Sequence, residues 1–210
     1  MSSTPTPARS RKRPEERREE IVDAAAAIAL ESGMERITLR AVAERLGVRP
    51  GLITHYFPAA EDLVVEAFSR AAVNQREKFF PDGEGSALRR MAHFVDYVQQ
   101  GLSSALARLW LNAQHLARFI PALDAALEEQ DALDRARLSA IIVDGVAAGE
   151  FADVDAEGAS IRIFAAVDGR GSYVNRIADL SHPAYRLFVA DVTEWTLGLA
   201  PGALARALDD

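Results

Sequence analysis

The chain has 210 residues, 49% of them hydrophobic and 26% charged, with a net charge of −7. That is enough apolar material for a real core, and enough length for one large domain or a small domain joined to a larger one. There is no cysteine, which excludes a disulfide frame, a thiolate zinc site and a cysteine nucleophile, and fits a reducing, cytoplasmic setting.

Charge is unevenly spread. Residues 1–57 carry ten Lys/Arg against eight Asp/Glu, whereas residues 58–210 carry 14 against 23. An acidic body repels DNA, so the N-terminal segment is the expected nucleic-acid docking surface. Residues 1–14, "MSSTPTPARSRKRP", read as a disordered basic arm. Basic residues with no apolar stretch behind them do not make a signal peptide. No apolar run approaches the about 18 residues of a membrane span, so no membrane partner is expected.

Strand signals are nearly absent, and apolar residues recur at helical spacing. A first helix is expected over about 15–32, with Ile21, Ala24, Ala25 and Ile28 on one stripe and Gly33 as its end. A second opens at Thr38, a good N-cap, buries Leu39, Val42, Ala43 and Leu46, and stops at Gly47. A short third helix follows in "GVRPGLITHYFP", with Pro50 in its first turn and Pro58 forcing the exit. These make a domain over 15–58. A connecting helix over 59–80 opens with Glu61 and Asp62, acids suited to a helix N-terminus. "PDGEG", residues 81–85, is the clearest linker. Helices are then expected near 86–100, 103–118, 121–148, 155–178 and 183–199, making a domain over 81–200 with a tail over 201–210.

Helix, tight glycine turn and short helix make a helix-turn-helix. Gly47 supplies the positive φ of the turn, Val48 tucks between the helices, and Ala43 is small enough to let them approach. Ile53 and Phe57, at i and i+4, anchor the short helix inward. Arg49, Gly51, Leu52, Thr54, His55 and Tyr56 are left facing outward or along the rim, and the candidate DNA contacts are Thr38, Arg40, Arg49, Pro50, Gly51, Thr54, His55 and Tyr56. A major groove takes the first turns of such a helix, where base edges are read. Arg49 is the best candidate for a guanine or phosphate contact. Pro50 and Gly51 narrow the helix start so that backbone N–H groups can approach phosphate.

"ITLRAVAERLGVRPGLITHYFPAAEDLVVEAF", Ile37 to Phe68, with "IVDAAAAIALESGMERIT" before it, resembles the DNA-binding domain of the TetR family of bacterial regulators. The likeness covers roughly residues 17–68. Thr54 and Tyr56 stand where that family usually has Tyr and His, and Ala60 where it often has a phosphate-binding Lys. Thr54, His55 and Tyr56 can still donate to phosphate, and the arm from Arg9 to Arg13 can replace lost charge.

The resemblance implies an all-α protein: a three-helix N-terminal helix-turn-helix domain plus a larger helical ligand-binding and dimerisation domain, about nine helices. It implies double-stranded DNA with a palindromic operator, a homodimer through the last two helices, an effector of unknown identity, no cofactor and no enzymatic activity. The expected function is a repressor released from its operator by the effector. An effector pocket is expected among Phe94, Tyr97, Trp110, Gln114, His115, Phe119, Phe164 and Asp168, with Asn112 as a further polar candidate. Gly169 and Gly171 in "AAVDGRGSYVNR" leave two readings: close helix packing, which suits a dimer interface and is preferred, or a broken helix with Asp168 and Arg170 lining the pocket.

Two rivals stay open. An enzyme is disfavoured because the four histidines form no H-x-x-x-H pair and no Gly-rich phosphate loop or nucleophile elbow occurs; His93 and Asp96 at i, i+3 are the weak exception. A DNA-binding regulator without a small effector, controlled by a protein partner or by abundance, is the other.

Overall fold

The computed structural model describes residues 13–81, 85–99, 103–176 and 179–209. Arg9, Arg11 and Lys12 of the expected arm, and residues 82–84 of the expected linker, lie outside the described residues. Among the described residues the chain is helical throughout, in eleven α-helices and one 3-10 turn.

The first three helices are α1 (Pro14–Ser32), α2 (Leu39–Leu46) and α3 (Pro50–Tyr56), with the 3-10 turn Met34–Arg36 between α1 and α2. Each boundary has a local cause. Pro14 and Pro50 occupy first helical turns, where a missing N–H costs nothing. The Thr38 side chain accepts from the Ala41 N–H at 3.0 Å. Gly47 ends α2 at φ 62, ψ 37, a left-handed conformation that a β-carbon disfavours. Its neighbour's amide, Val48 N–H, returns to the Ala43 carbonyl at 3.0 Å and closes the turn.

The long α4 (Ala60–Phe79) follows, then α5 (Ala87–Gln99), α6 (Ser103–Ala117), α7 (Pro121–Ala147), α8 (Ala156–Arg176), α9 (Pro183–Arg186), α10 (Phe188–Leu197) and α11 (Ala203–Asp209). The single helix expected over 183–199 is therefore broken at Leu187, whose amide closes on the Pro183 carbonyl at 2.8 Å.

Two cores form. The first joins α1, α2, α3 and the N-terminal half of α4 around Ile21, Val42, Ile53, Phe57, Leu63 and Phe68, and takes in Leu109, Ala113 and Ala117 of α6. The second joins α5, α7, α8, α10 and α11 around Met91, Phe94, Leu138, Ile142 and Ile163, and takes in Phe79 from the end of α4. So α4 and α7 each contribute to both cores, α7 through Leu123 and Ala126 in the first and Leu138, Ile141 and Ile142 in the second, and residues 59–80 reach into both domains.

The expected tail is also structure. Helix α11 packs on α5 and buries Leu204. The Glu194 side chain, 3% exposed, accepts from the amides of Gly202 at 2.8 Å and Leu204 at 3.0 Å, satisfying the orphan donors at the start of α11. Glu194→Ala is expected to destabilise the protein by about 1–3 kcal/mol. A urea midpoint equal to that of the wild type would show that the Glu194 hydrogen bonds contribute nothing to stability.

Candidate functional site

The helix-turn-helix surface forms as its spacing requires. Ile53 and Phe57 are fully buried and fix α3, while Arg49, Pro50, Gly51, Thr54 and His55 are exposed and Tyr56 is half-buried against the first core. An added β-carbon at Gly51 would meet nothing within 4 Å, so packing within the chain places no demand on that position. The Thr54 hydroxyl donates back to the Pro50 carbonyl at 3.3 Å. His55 and Tyr56 meet edge to face with ring centres 5.3 Å apart. Arg40 is exposed and pairs with Glu44 at 2.7 Å; such a surface pair is weak and yields readily to phosphate.

The structure revises the charge reading. Several N-terminal arginines hold the domain together. Arg18 chelates Glu66 and lies over the Phe57 ring, 4.8 Å from its centre, tying α1 to α3 and α4. Arg45 grips Glu31 through both nitrogens at 2.7 and 2.6 Å, tying α2 to α1. Arg13 and Arg17 pair within α1. Arg49 makes no ion pair among the described residues.

The second feature is a cavity of about 210 Å³ enclosed by α4, α5, α6, α7 and α8. Four expected residues line it: Trp110, Gln114, Phe164 and Asp168. The other four do not. Phe94 is fully buried in the second core, stacked on Phe80 at 5.3 Å. Tyr97 packs edge-on against Phe79 at 5.2 Å, and burial raises its pKa. His115 lies on the outer face of α6 and Phe119 in the turn after it, 70% exposed. The reason is angular: Trp110 and Gln114 are one turn apart on one face, and His115 and Phe119 follow on the next. Asn112 also leaves the cavity, donating to Glu35 at 3.0 Å. His93 is tied by its ring nitrogen to the Lys78 carbonyl at 3.1 Å.

Both readings of "AAVDGRGSYVNR" are half realised. Helix α8 runs unbroken through Gly169 and Gly171, yet Asp168 and Arg170 line the cavity. A β-carbon at Gly171 would come within 3.2 Å of the Ala107 β-carbon, so the glycine admits α6 of the same chain, not a partner.

Sequence reading missed the acidic wall. Glu128, Asp131 and Asp134 of α7 reach the cavity at three-residue spacing, and that spacing was the available signal. Asp134, 4% exposed, takes Arg76 Nε at 2.5 Å, and Arg76 also donates to the buried Gln130 side chain at 2.8 Å. Burial pushes the Asp134 carboxyl up and Arg76 pulls it back, leaving it at about 6. Asp168 faces the cavity and water reaches it there, but the surrounding protein still pushes its carboxyl up to about 6, with the Asp131 charge adding to the rise. Arg170 donates to the carbonyls of Val98 at 3.1 Å and Gln99 at 3.0 Å, and burial lowers its pKa.

A helix-turn-helix with an exposed α3, carried on a larger helical domain with an internal cavity, defines the fold class of helical DNA-binding regulators. Residues 21–67 match the model of the bacterial regulatory proteins, tetR family, and this N-terminal domain belongs to that family. Over 55 residues, 26% of the chain, it is 47% identical to the transcriptional repressor KstR of Mycolicibacterium smegmatis, covering 27% of that protein. Over 103 residues, 45% of the chain, it is 33% identical to the transcriptional regulator BetI of Klebsiella pneumoniae, covering 52% of it. The chain thus spans between about a quarter and a half of the curated relatives it matches. In fold it is similar to a Saccharomonospora viridis protein solved in complex with choline, with TM-score 0.72 and 21% identity over 86% of this chain and 96% of that one. A TetR transcriptional regulator from Chloroflexus aurantiacus superposes with TM-score 0.68 and 22% identity over 88% and 93%.

Both raised carboxyls weaken the fold when ionised. That penalty is complete above about 6, recedes as pH falls through that value, and is gone below the ordinary value of 3.8. Asp168→Asn is expected to stabilise the protein near pH 7.5 by roughly 1 kcal/mol, about 2–4 °C in melting temperature, after allowance for its contact with water. The gain should be mostly lost near pH 4. A variant that melts lower than wild type at both pH values would contradict this account.

Proposed function

We propose that the protein is a sequence-specific DNA-binding transcriptional regulator of the cytoplasm. It acts as a homodimer that represses from a palindromic operator and is released by a small-molecule effector. The observation that carries the reading is the position of Trp110. Its ring meets Phe68 of the first core edge to face at 5.2 Å, its Nε1–H donates to Gln75 of α4 at 3.2 Å, and it lines the cavity. A ligand seated against this ring bears on the first core through Phe68 and on α4 through Gln75. Leu109, Ala113 and Ala117 of the same helix are buried against the helix-turn-helix domain and would carry the movement to α1 and α4. The effector then need only prefer the state in which the two α3 helices of a dimer no longer match successive turns of the major groove.

The dimer surface is best placed on α8 and α10. Trp195 is 72% exposed, Ile161 49% and Phe188 38%, an apolar set too large for a lone surface. The expected pair of last helices moves accordingly, because α11, the true last helix among the described residues, is spent on α5. The KstR relatives carry the name repressor, which supports the sense of control, and the neighbour solved in complex with choline supports a small-molecule ligand.

Two outcomes test this. Operator sites selected from sheared genomic DNA should be palindromic and weaken as salt rises. On such a site Arg49→Ala should cost about 1–3 kcal/mol if Arg49 reads a base, or lower the salt slope by about one if it holds a phosphate. Trp195→Glu should give a monomer by light scattering and weaken operator binding at least tenfold. A Trp195→Glu protein that stays dimeric would move the interface elsewhere.

A further inference from the structure

We propose that the cavity is built for a small organic cation with an apolar body, an amine or a quaternary ammonium, held between the Asp168 and Glu128 carboxylates and the rings of Trp110, Phe79 and Phe164. This rests on the reading that the cavity is the effector site.

The first argument is the pairing of charges. Of the four carboxylates lining the cavity, Asp134 is answered by Arg76 and Asp131 by Arg135. Asp168 and Glu128 have no hydrogen bond or ion pair among the described residues. Arg170, the basic residue of the lining, is engaged by the Val98 and Gln99 carbonyls at the end of α5. Two solvent-exposed carboxylates thus stand without a counter-ion among the described residues, one on α8 and one on α7, against the single positive charge of Arg170, which carbonyls do not neutralise.

The second argument is energetic. Asp168 is penalised twice, by the protein packed around it and by the neighbouring Asp131 charge. A neutral ligand relieves neither penalty and an anion adds to the second. A cation reverses both, since it restores in place of water the favourable field a carboxylate needs.

The third argument is the shape of the apolar wall. Trp110 is held by Phe68 and by Gln75, so its ring is preset rather than mobile. Aromatic faces carry negative potential and attract an ammonium at close range. Carboxylates and fixed rings around one partly open cavity recognise charge and apolar bulk together.

The test uses the full chain and three ligands that share a phenyl ring on a short chain: benzyltrimethylammonium, neutral 2-phenylethanol and anionic phenylacetate. Calorimetry should show the cation binding at least tenfold tighter than the alcohol, with phenylacetate weakest. Asp168→Asn and Glu128→Gln should each weaken the cation about five- to tenfold without changing the alcohol, consistent with loss of a partly desolvated charge pair. Both variants must melt no lower than wild type for the comparison to count as a binding effect. The proposal is overturned if the alcohol or phenylacetate binds as tightly as the cation, if neither variant alters cation affinity, or if the cation does not bind. When uncharged or anionic compounds bind and release operator DNA, the effector reading stands and only its charge class is wrong. When no member of the three series, and no component of a metabolite mixture, shifts melting or operator affinity, the effector reading fails too.

Discussion

The structure depends on one helix that serves two cores. Helix α4, about 30 Å long at 1.5 Å per residue, buries Leu63, Val64, Ala67 and Phe68 against the helix-turn-helix and Phe79 against the second domain. Between these anchors, Arg76 is locked into Asp134 and Gln130 of α7. A rod pinned at both ends and in the middle cannot bend without disturbing packed side chains, and packed interiors shift between discrete arrangements rather than deforming smoothly. Helix α7 is the second shared element, and Trp110 of α6 touches α4, the first core and the cavity from one position. Coupling between cavity and DNA surface is therefore a matter of shared side chains, not of distance bridged.

The cavity is also where the fold gives up stability. Raised carboxyls at Asp168 and Asp134, and a desolvated Arg170, are not what packing alone would select. In the N-terminal domain the polar groups are used differently. Arg18, Arg45 and Arg70 close surface ion pairs that tie α1 to its neighbours. One half of the chain uses charge to hold itself together, and the other keeps part of its charge unanswered inside a pocket.

Much of the first domain was legible in the sequence because its signals are local. Thr38 caps from its own side chain, Gly47 turns the chain by its own φ, Pro50 starts α3, and Ile53 with Phe57 marks the inward face. Each rests on neighbours within about one helical turn. The cavity was only half legible. Trp110, Gln114, Phe164 and Asp168 belong to it, but His115 and Phe119 do not, and the acids of α7 went unseen. Glu194 and α11 were missed because a glutamate reads as a surface residue until its acceptor role across eight and ten positions is known.

By itself, then, the sequence determined the helices of the first domain, their ends, the helix-turn-helix and the residues α3 exposes, since these follow from periodicity and backbone preference. Only the tertiary structure decided which face of α6 turns inward, that Gly171 receives Ala107 of its own chain, and that carboxylates from α7 and α8 share one cavity with three aromatic rings. The physical reason is that periodicity defines the faces of a helix but not their partners. A cavity exists only where faces from several helices, distant along the chain, leave the same space unfilled.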